Sequence, residues 1–122
     1  MATLGDRVFD AGLNVLDTEA NRIDICSQEP TTYAAATSTY TLGNSTSLSI
    51  GAPADRSGGG REVTVSAISD GSVTSSGTAT HYAITDTVNS RLLVTGSFTS
   101  QSVTSGNSFS LASFTVGIPD PA

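Results

Sequence analysis

Glu62-Val63-Thr64-Val65-Ser66-Ala67 is the stretch that decides the fold class of this 122-residue chain. Its polar and apolar residues alternate, and successive side chains of a β-strand point to opposite faces of the sheet. The pattern therefore predicts a strand with one buried face and one solvated face. Half-solvated strands are typical of antiparallel sheets, so this stretch favours an antiparallel β fold.

Further segments with strand character lie on both sides of this stretch, and residues that favour turns separate them. The predicted strands cover residues 22–28, 40–50, 78–86, 91–95, 98–103 and 109–118, the last with a change of parity near Ala112-Ser113. Asp70-Gly71 is interpreted as a turn, because this pair is common in tight hairpins. The spacing predicts one mainly β domain over residues 1–122, an antiparallel β-sandwich or barrel of about seven or eight short strands.

Hydroxyl side chains dominate the polar composition of the chain. It contains 19 Ser and 18 Thr, whereas charged residues make up only 13%. Thr suits strands through its branched Cβ, and Ser favours turns, so the composition agrees with an all-β domain. The net charge is −6, there is no Lys, and the five Arg residues are scattered. Binding to nucleic acid or to an anionic membrane is therefore disfavoured, because both need a concentrated basic patch.

Apolar residues near the N-terminus recur at helical spacing and predict one short helix over residues 3–16. They are Leu4, Val8, Phe9, Gly12, Leu13 and Leu16. A helix of this length is marginal by itself and has to dock on another surface. Its own sheet and a neighbouring subunit both stay open as that surface.

Residues 52–61 form the clearest predicted loop, with the sequence Ala-Pro-Ala-Asp-Arg-Ser-Gly-Gly-Gly-Arg. Three consecutive Gly residues have high backbone freedom, so we expect an exposed and mobile segment. A plain hairpin loop and a tip that touches a partner are both compatible with this composition. The helix and the loop together supply the candidate partner contacts, which are Leu4, Arg7, Val8, Arg56 and Arg61.

Residues with catalytic or metal-binding potential are few. The sequence has one His, His81, so a metal cluster built from several His residues cannot be assembled. It also has one Cys, Cys26, which excludes an internal disulfide and is interpreted as a buried thiol in a strand. A Gly-x-Ser-x-Gly elbow and the phosphate-binding Gly motifs are missing from the sequence. We therefore expect a protein that is not an enzyme and that carries no cofactor or metal.

Three parts of the chain resemble small virion proteins of tailed bacteriophages and prophages. The first comprises Leu4-Gly5-Asp6-Arg7-Val8-Phe9-Asp10, Leu16-Asp17-Thr18-Glu19-Ala20-Asn21-Arg22-Ile23 and Ile25-Cys26-Ser27-Gln28-Glu29-Pro30. The second comprises Gly77-Thr78-Ala79-Thr80-His81-Tyr82-Ala83-Ile84-Thr85-Asp86 and Ser90-Arg91-Leu92-Leu93, and the third is the ending, residues 109–119. The resemblance spans nearly the whole chain and contains no active-site motif.

This resemblance implies a structural component of a virion, with capsid decoration (cement) as the first choice. Such a protein would bind the major capsid protein where shell subunits meet, associate with copies of itself as a homotrimer, and reinforce the head. We expect synthesis in the host cytoplasm, because the N-terminus has no secretory signal, and a final place on the capsid exterior. Two alternatives stay open: a tail or fibre module that binds host glycan, and a hydrolase that acts on a cell-wall polymer.

Overall fold

The structure is a computed structural model that describes residues 5–119. It contains one α-helix, α1 (Asp6–Glu19), and a short π-helical segment (Ala35–Thr39). The strands are β1 (Arg22–Cys26), β2 (Thr41–Ser45), β3 (Ala54–Asp55), β4 (Arg61–Val65), β5 (Ile68–Val73), β6 (Gly77–Asp86), β7 (Arg91–Val103), β8 (Ser108–Leu111) and β9 (Phe114–Ile118). All their pairings are antiparallel. The predicted class, a mainly antiparallel β fold with one N-terminal helix, is confirmed.

The described chain divides into two compact units. The helix unit comprises residues 5–19, 49–67 and 112–119, and it contains α1 and the three-stranded sheet β3-β4-β9. The sheet unit comprises residues 20–48 and 68–111, and it contains the six-stranded sheet β7-β6-β1-β2-β5-β8. The change of parity predicted near Ala112-Ser113 marks the point where the chain leaves β8 and enters β9 of the other sheet.

The sheet unit is organised around β1, which lies between β6 and β2. Ile23 and Ile25 of β1 are fully buried, and Ile23 lies opposite Ile84 of β6. On alternate positions of β1, Cys26 joins a buried cluster with Ala36 of the π-helical segment. Because both faces of β1 are covered, this strand reads as a nearly continuous buried run.

The helix unit is built on β4, the strand whose alternation predicted the fold class. Val63 and Val65 are fully buried, whereas Thr64 between them is exposed. Helix α1 contacts β4 and buries Phe9, Leu13 and Leu16. The helix therefore docks on a sheet of its own chain, which was the first of the two docking surfaces considered.

The helix differs from its prediction in its bounds and in one side chain. It runs from Asp6 to Glu19 rather than over residues 3–16, and Leu4 lies outside the described residues. Val8, expected on the apolar face, is 59% exposed. The reason is the helical geometry. Phe9, Leu13 and Leu16 form the buried face, and successive residues of a helix are rotated by about 100°, so Val8 points away from that face.

The turn predicted at Asp70-Gly71 is wrong, because both residues lie inside β5. Gly71 is opposite Phe109 of β8, and the Phe109 ring lies across the place that a Cβ atom would occupy. Glycine is needed there for close aromatic packing within a strand, not for a reversal of the chain. The two strands predicted at residues 91–95 and 98–103 are likewise one strand, β7, whose register against β6 shifts twice.

The segment 52–61 contains a hydrogen-bonded hairpin, in agreement with the plain-hairpin interpretation of its sequence. Ala54 and Asp55 form β3 and pair with Glu62 and Arg61 of β4. The turn between them is closed by backbone bonds from Arg56 N to the Gly60 carbonyl and from Gly59 N to the Arg56 carbonyl, each 3.1 Å. The three glycines have positive φ, so they serve the turn geometry.

Candidate interaction surface

The outer face of α1 is the surface on which the predicted contacts of the helix lie. Arg7, Val8, Ala11 and Asn14 are all exposed, and with Asp10 they line an open surface depression. Their spacing of three and four residues places them side by side along the helix. The face carries the positive charge of Arg7, the aliphatic side chains of Val8 and Ala11 and the amide of Asn14, so it can offer both apolar contact and hydrogen bonds.

Arg61 connects this helix to the β3–β4 hairpin through ion pairs. Its Nε donates to Asp10 Oδ1 at 3.0 Å, its Nη1 lies 2.7 Å from Asp55 Oδ1 and 3.7 Å from Asp6 Oδ2, and its Nη2 donates to the Pro53 carbonyl at 3.2 Å. The hydrogen bonds to Asp10 and then Asp55 raise the pKa of the guanidinium above its usual value. The Arg61 side chain, 16% exposed, thus links α1 to the β3–β4 hairpin.

The other predicted contacts are distributed differently. Arg56 is half-buried, and its Nη1 donates to the Gly59 carbonyl at 3.1 Å, within the hairpin turn. Leu4 is outside the described residues. The structure therefore places Arg7 and Val8 on one open surface, whereas Arg56 and Arg61 have partners inside their own chain.

His81 and Cys26, the residues with the most reactive side chains, lie opposite each other on β6 and β1. The Cys26 thiol is fully buried, and its nearest hydrogen-bond acceptor is the Ala36 carbonyl at 3.7 Å. Burial, with a smaller contribution from Asp24, raises the pKa of the thiol to about 12. At neutral pH it is therefore protonated and a poor nucleophile.

The imidazole of His81 is engaged locally. Its Nδ1 lies 2.8 Å from Thr80 Oγ1, and that hydroxyl in turn donates to the Ser27 carbonyl at 3.1 Å. Within residues 5–119 no group of three or more His, Cys, Asp or Glu side chains is placed to hold a metal ion.

A buried polar cluster in the sheet unit escaped the sequence analysis. Asp24 is fully buried in β1 and receives two hydrogen bonds from Arg22, both 2.8 Å, and one from Thr41 Oγ1 at 2.6 Å. Residues two apart on a strand share a face, so the opposite charges of Arg22 and Asp24 were a usable signal. Because the donors satisfy the carboxylate, the cluster is a structural ion pair.

Comparisons with family models, curated proteins and solved structures found no match to this chain. Among the helices of residues 5–119, none has the length and apolar character needed to cross a bilayer.

The candidate functional surface is the outer face of α1, which we call the α1 face and define as Arg7, Val8, Ala11 and Asn14. We choose it because these four side chains are exposed and adjacent.

Proposed function

We propose that the protein is a capsid decoration protein of a tailed-phage virion. It binds the major capsid protein on the outside of the head and stabilises the shell. The observation that carries the proposal is the α1 face, which is open to a partner while the helix behind it is fixed to its own chain. The resemblance of the chain to small virion proteins of tailed phages supports the same role.

The helix is suited to docking because one face packs against its own chain and the opposite face is exposed. Phe9, Leu13 and Leu16 anchor it in the helix unit, and Arg61 adds ion pairs from a strand. A surface that is ordered before contact loses less conformational entropy on binding than a flexible one. Val8, 59% exposed, supplies the apolar centre of such a contact.

Charge and chemistry favour a binding role on the capsid exterior. A net charge of −6 without any Lys disfavours contact with packaged DNA, because phosphate binding needs concentrated positive charge. The buried Cys26 thiol, with its raised pKa, and the locally bonded His81 ring favour a role that does not depend on catalysis. We further propose that copies of the protein associate as a homotrimer on the shell.

The test is substitution of Val8 by Asp, measured as occupancy on heads that lack the protein. Aspartate in the first turn of a helix interacts favourably with the helix dipole, so the variant should fold normally. A charge at the centre of an apolar contact should reduce affinity by at least about tenfold. Thr31→Asp adds the same charge at an exposed loop position and should bind as the wild type does.

Co-sedimentation with heads gives the affinity, and imaging of decorated particles gives the position. Wild-type protein found on the tail, or absent from heads at saturating concentration, would contradict the proposal. Equal occupancy by Val8→Asp and the wild type would show that the α1 face is not the contact. The number of copies at each site on the imaged particles tests the trimer separately.

A further inference from the structure

Arg7, on the α1 face, differs from the other cationic side chains of the chain in its surroundings. The other four Arg residues are engaged by groups of their own chain. Arg22 pairs with Asp24, Arg56 donates to the Gly59 carbonyl, Arg61 pairs with Asp10, and Arg91 lies opposite Asp86 and attracts its carboxylate. The Arg7 side chain is exposed and has no hydrogen-bond or ion-pair partner among residues 5–119. Its charge is therefore open to a second molecule.

The carboxylates nearest to Arg7 along the helix are bound to a different cation. Asp10 lines the same depression as Arg7, but it accepts hydrogen bonds from Arg61 Nε at 3.0 Å and from Arg61 Nη2 at 3.3 Å. The Asp6 carboxylate lies 3.7 Å from Arg61 Nη1. The other side chains of the α1 face carry no charge. The guanidinium of Arg7 is thus the charged group that this face presents to a partner.

The combination of one guanidinium with aliphatic neighbours decides what kind of partner fits the face. A guanidinium binds a carboxylate through two parallel hydrogen bonds, which gives the pair a defined geometry. Val8 and Ala11 beside it are suited to an apolar side chain, as in the centre of a protein interface. A nucleic acid or an anionic lipid surface would instead require several cations together. The chemistry of the face therefore favours a protein segment with both an acidic and an apolar side chain.

The net charge of the molecule makes this one cation important for orientation. The chain has 11 Asp and Glu residues against five Arg, which gives a net charge of −6. An acidic partner surface is therefore repelled by most of the molecule and attracted where a cation is open to it. Such opposed interactions determine orientation and exclude wrong contacts. For an acidic partner, Arg7 thus selects the α1 face as the contacting side.

We infer that the α1 face binds a segment of the major capsid protein in which an Asp or Glu side chain pairs with Arg7. An apolar side chain of the same segment packs on Val8. This inference rests on the proposed decoration function and names the chemistry of the surface that the protein meets on the shell.

The experiment measures binding of purified variants to heads that lack the protein, by co-sedimentation at low and at high salt. At about 0.05 M salt, Arg7→Gln should lower affinity by about fivefold, the upper range for an ion pair at a surface, and Arg7→Glu should lower it further. At about 0.5 M salt the difference between Arg7→Gln and the wild type should shrink, because salt screens the pair. Arg7→Lys keeps the charge and should bind more tightly than Arg7→Gln at low salt.

Asn107→Asp is the matched control. It lies in the exposed turn between β7 and β8, and it lowers the net charge by one, as Arg7→Gln does. It should bind as the wild type does at both salt concentrations. If Asn107→Asp and Arg7→Gln were equally weak, the total charge would account for the loss, and the pairing of Arg7 with a carboxylate would be overturned.

The remaining outcomes separate this inference from the function on which it rests. If the wild type binds heads and Arg7→Gln binds equally well at both salt concentrations, the acidic partner is overturned and the decoration function stands. A loss for Arg7→Gln that is the same at low and high salt would mean that Arg7 contributes by packing, which also overturns the ion pair. If the wild type does not bind heads, both proposals fail together.

Discussion

Asp86 illustrates how one buried carboxylate can organise a whole turn. Its pKa is lowered chiefly by the hydrogen bond from the Asn89 side chain, with further contributions from the backbone N–H groups of Asn89 and Val88, while burial acts in the opposite direction. A carboxyl with a depressed folded pKa stabilises the fold above its unfolded pKa. That contribution is lost as the pH falls through the folded value.

The first prediction concerns the stability of an Asp86 variant as the pH is lowered. In Asp86→Asn the three hydrogen bonds to the carboxylate are weakened or lost, so the variant should be less stable than the wild type at pH 7. The difference between the two should shrink as the pH falls below about 4, where the wild-type carboxyl begins to take up a proton in the unfolded state. Urea unfolding of both proteins from pH 7 to pH 2.5 measures it.

A matched substitution checks that the effect belongs to the turn. Asp17→Asn removes a carboxylate from an exposed position of α1, and its free energy of unfolding at pH 7 should stay within about 0.5 kcal/mol of the wild-type value. A stability difference for Asp86→Asn that does not change with pH would contradict the prediction. It would mean that the Asp86 carboxyl has the same pKa in the folded and unfolded states.

At the scale of elements, the close pairing of β2 with β5 depends on a glycine. Gly43 lies opposite Val73, and a Cβ at Gly43 would be 3.0 Å from the Val73 Cα and closer still to the Ser72 carbonyl oxygen. Both neighbours are backbone atoms, so neither can rotate away. The two strands can accommodate a side chain only by moving apart.

Gly43→Ala should therefore destabilise the protein by about 1–3 kcal/mol, the range for overpacking of a well-packed site. Gly51→Ala is the control, because the nearest atom to its new Cβ is the Thr64 carbonyl oxygen at 4.0 Å. Its stability should stay within about 0.5 kcal/mol of the wild type. Equal urea midpoints for the two variants would refute the close-approach explanation.

The elements that the sequence predicted well are those with a local pattern. Val63 and Val65 alternate with polar residues, and Phe9, Leu13 and Leu16 follow helical spacing, so β4 and the anchored side of α1 were visible in advance. Gly71 was wrongly predicted to lie in a turn. Glycine is needed there because of the Phe109 ring, which lies on a strand that is distant in the sequence. The same holds for β7, whose shifts of register depend on its pairing with β6.

The candidate surface was also predictable only in part, because some of its residues have partners that are distant in the sequence. Arg7 and Val8 were named from the sequence, and the structure places both on the open face of α1. Arg61 was also named, as a contact, but it is separated from Asp10 by 51 positions and joins it only in the folded chain. A charge on a predicted loop gives no sign that a distant carboxylate will be its partner.

At the scale of the whole molecule, the helix unit differs from the sheet unit in its chain connectivity. It is assembled from three separate stretches, 5–19, 49–67 and 112–119, whereas the sheet unit needs two. Contacts between distant stretches carry a larger cost in chain entropy than local ones. Arg61 links the first stretch to the second, so its ion pairs with Asp6 and Asp10 bear directly on the integrity of this unit.

The last prediction tests whether Arg61 stabilises the helix unit and not the sheet unit. In Arg61→Gln the helix loses its charged connection to β4, so native-state hydrogen exchange should accelerate on the order of tenfold in α1 and β4. Exchange in β1 and β6, the centre of the sheet unit, should stay unchanged. Arg7→Gln removes the same charge from the exposed side of α1 and is the matched control. Acceleration that spreads equally through β1 and β6 would mean that the chain opens as one cooperative structure, and that Arg61 stabilises all of it.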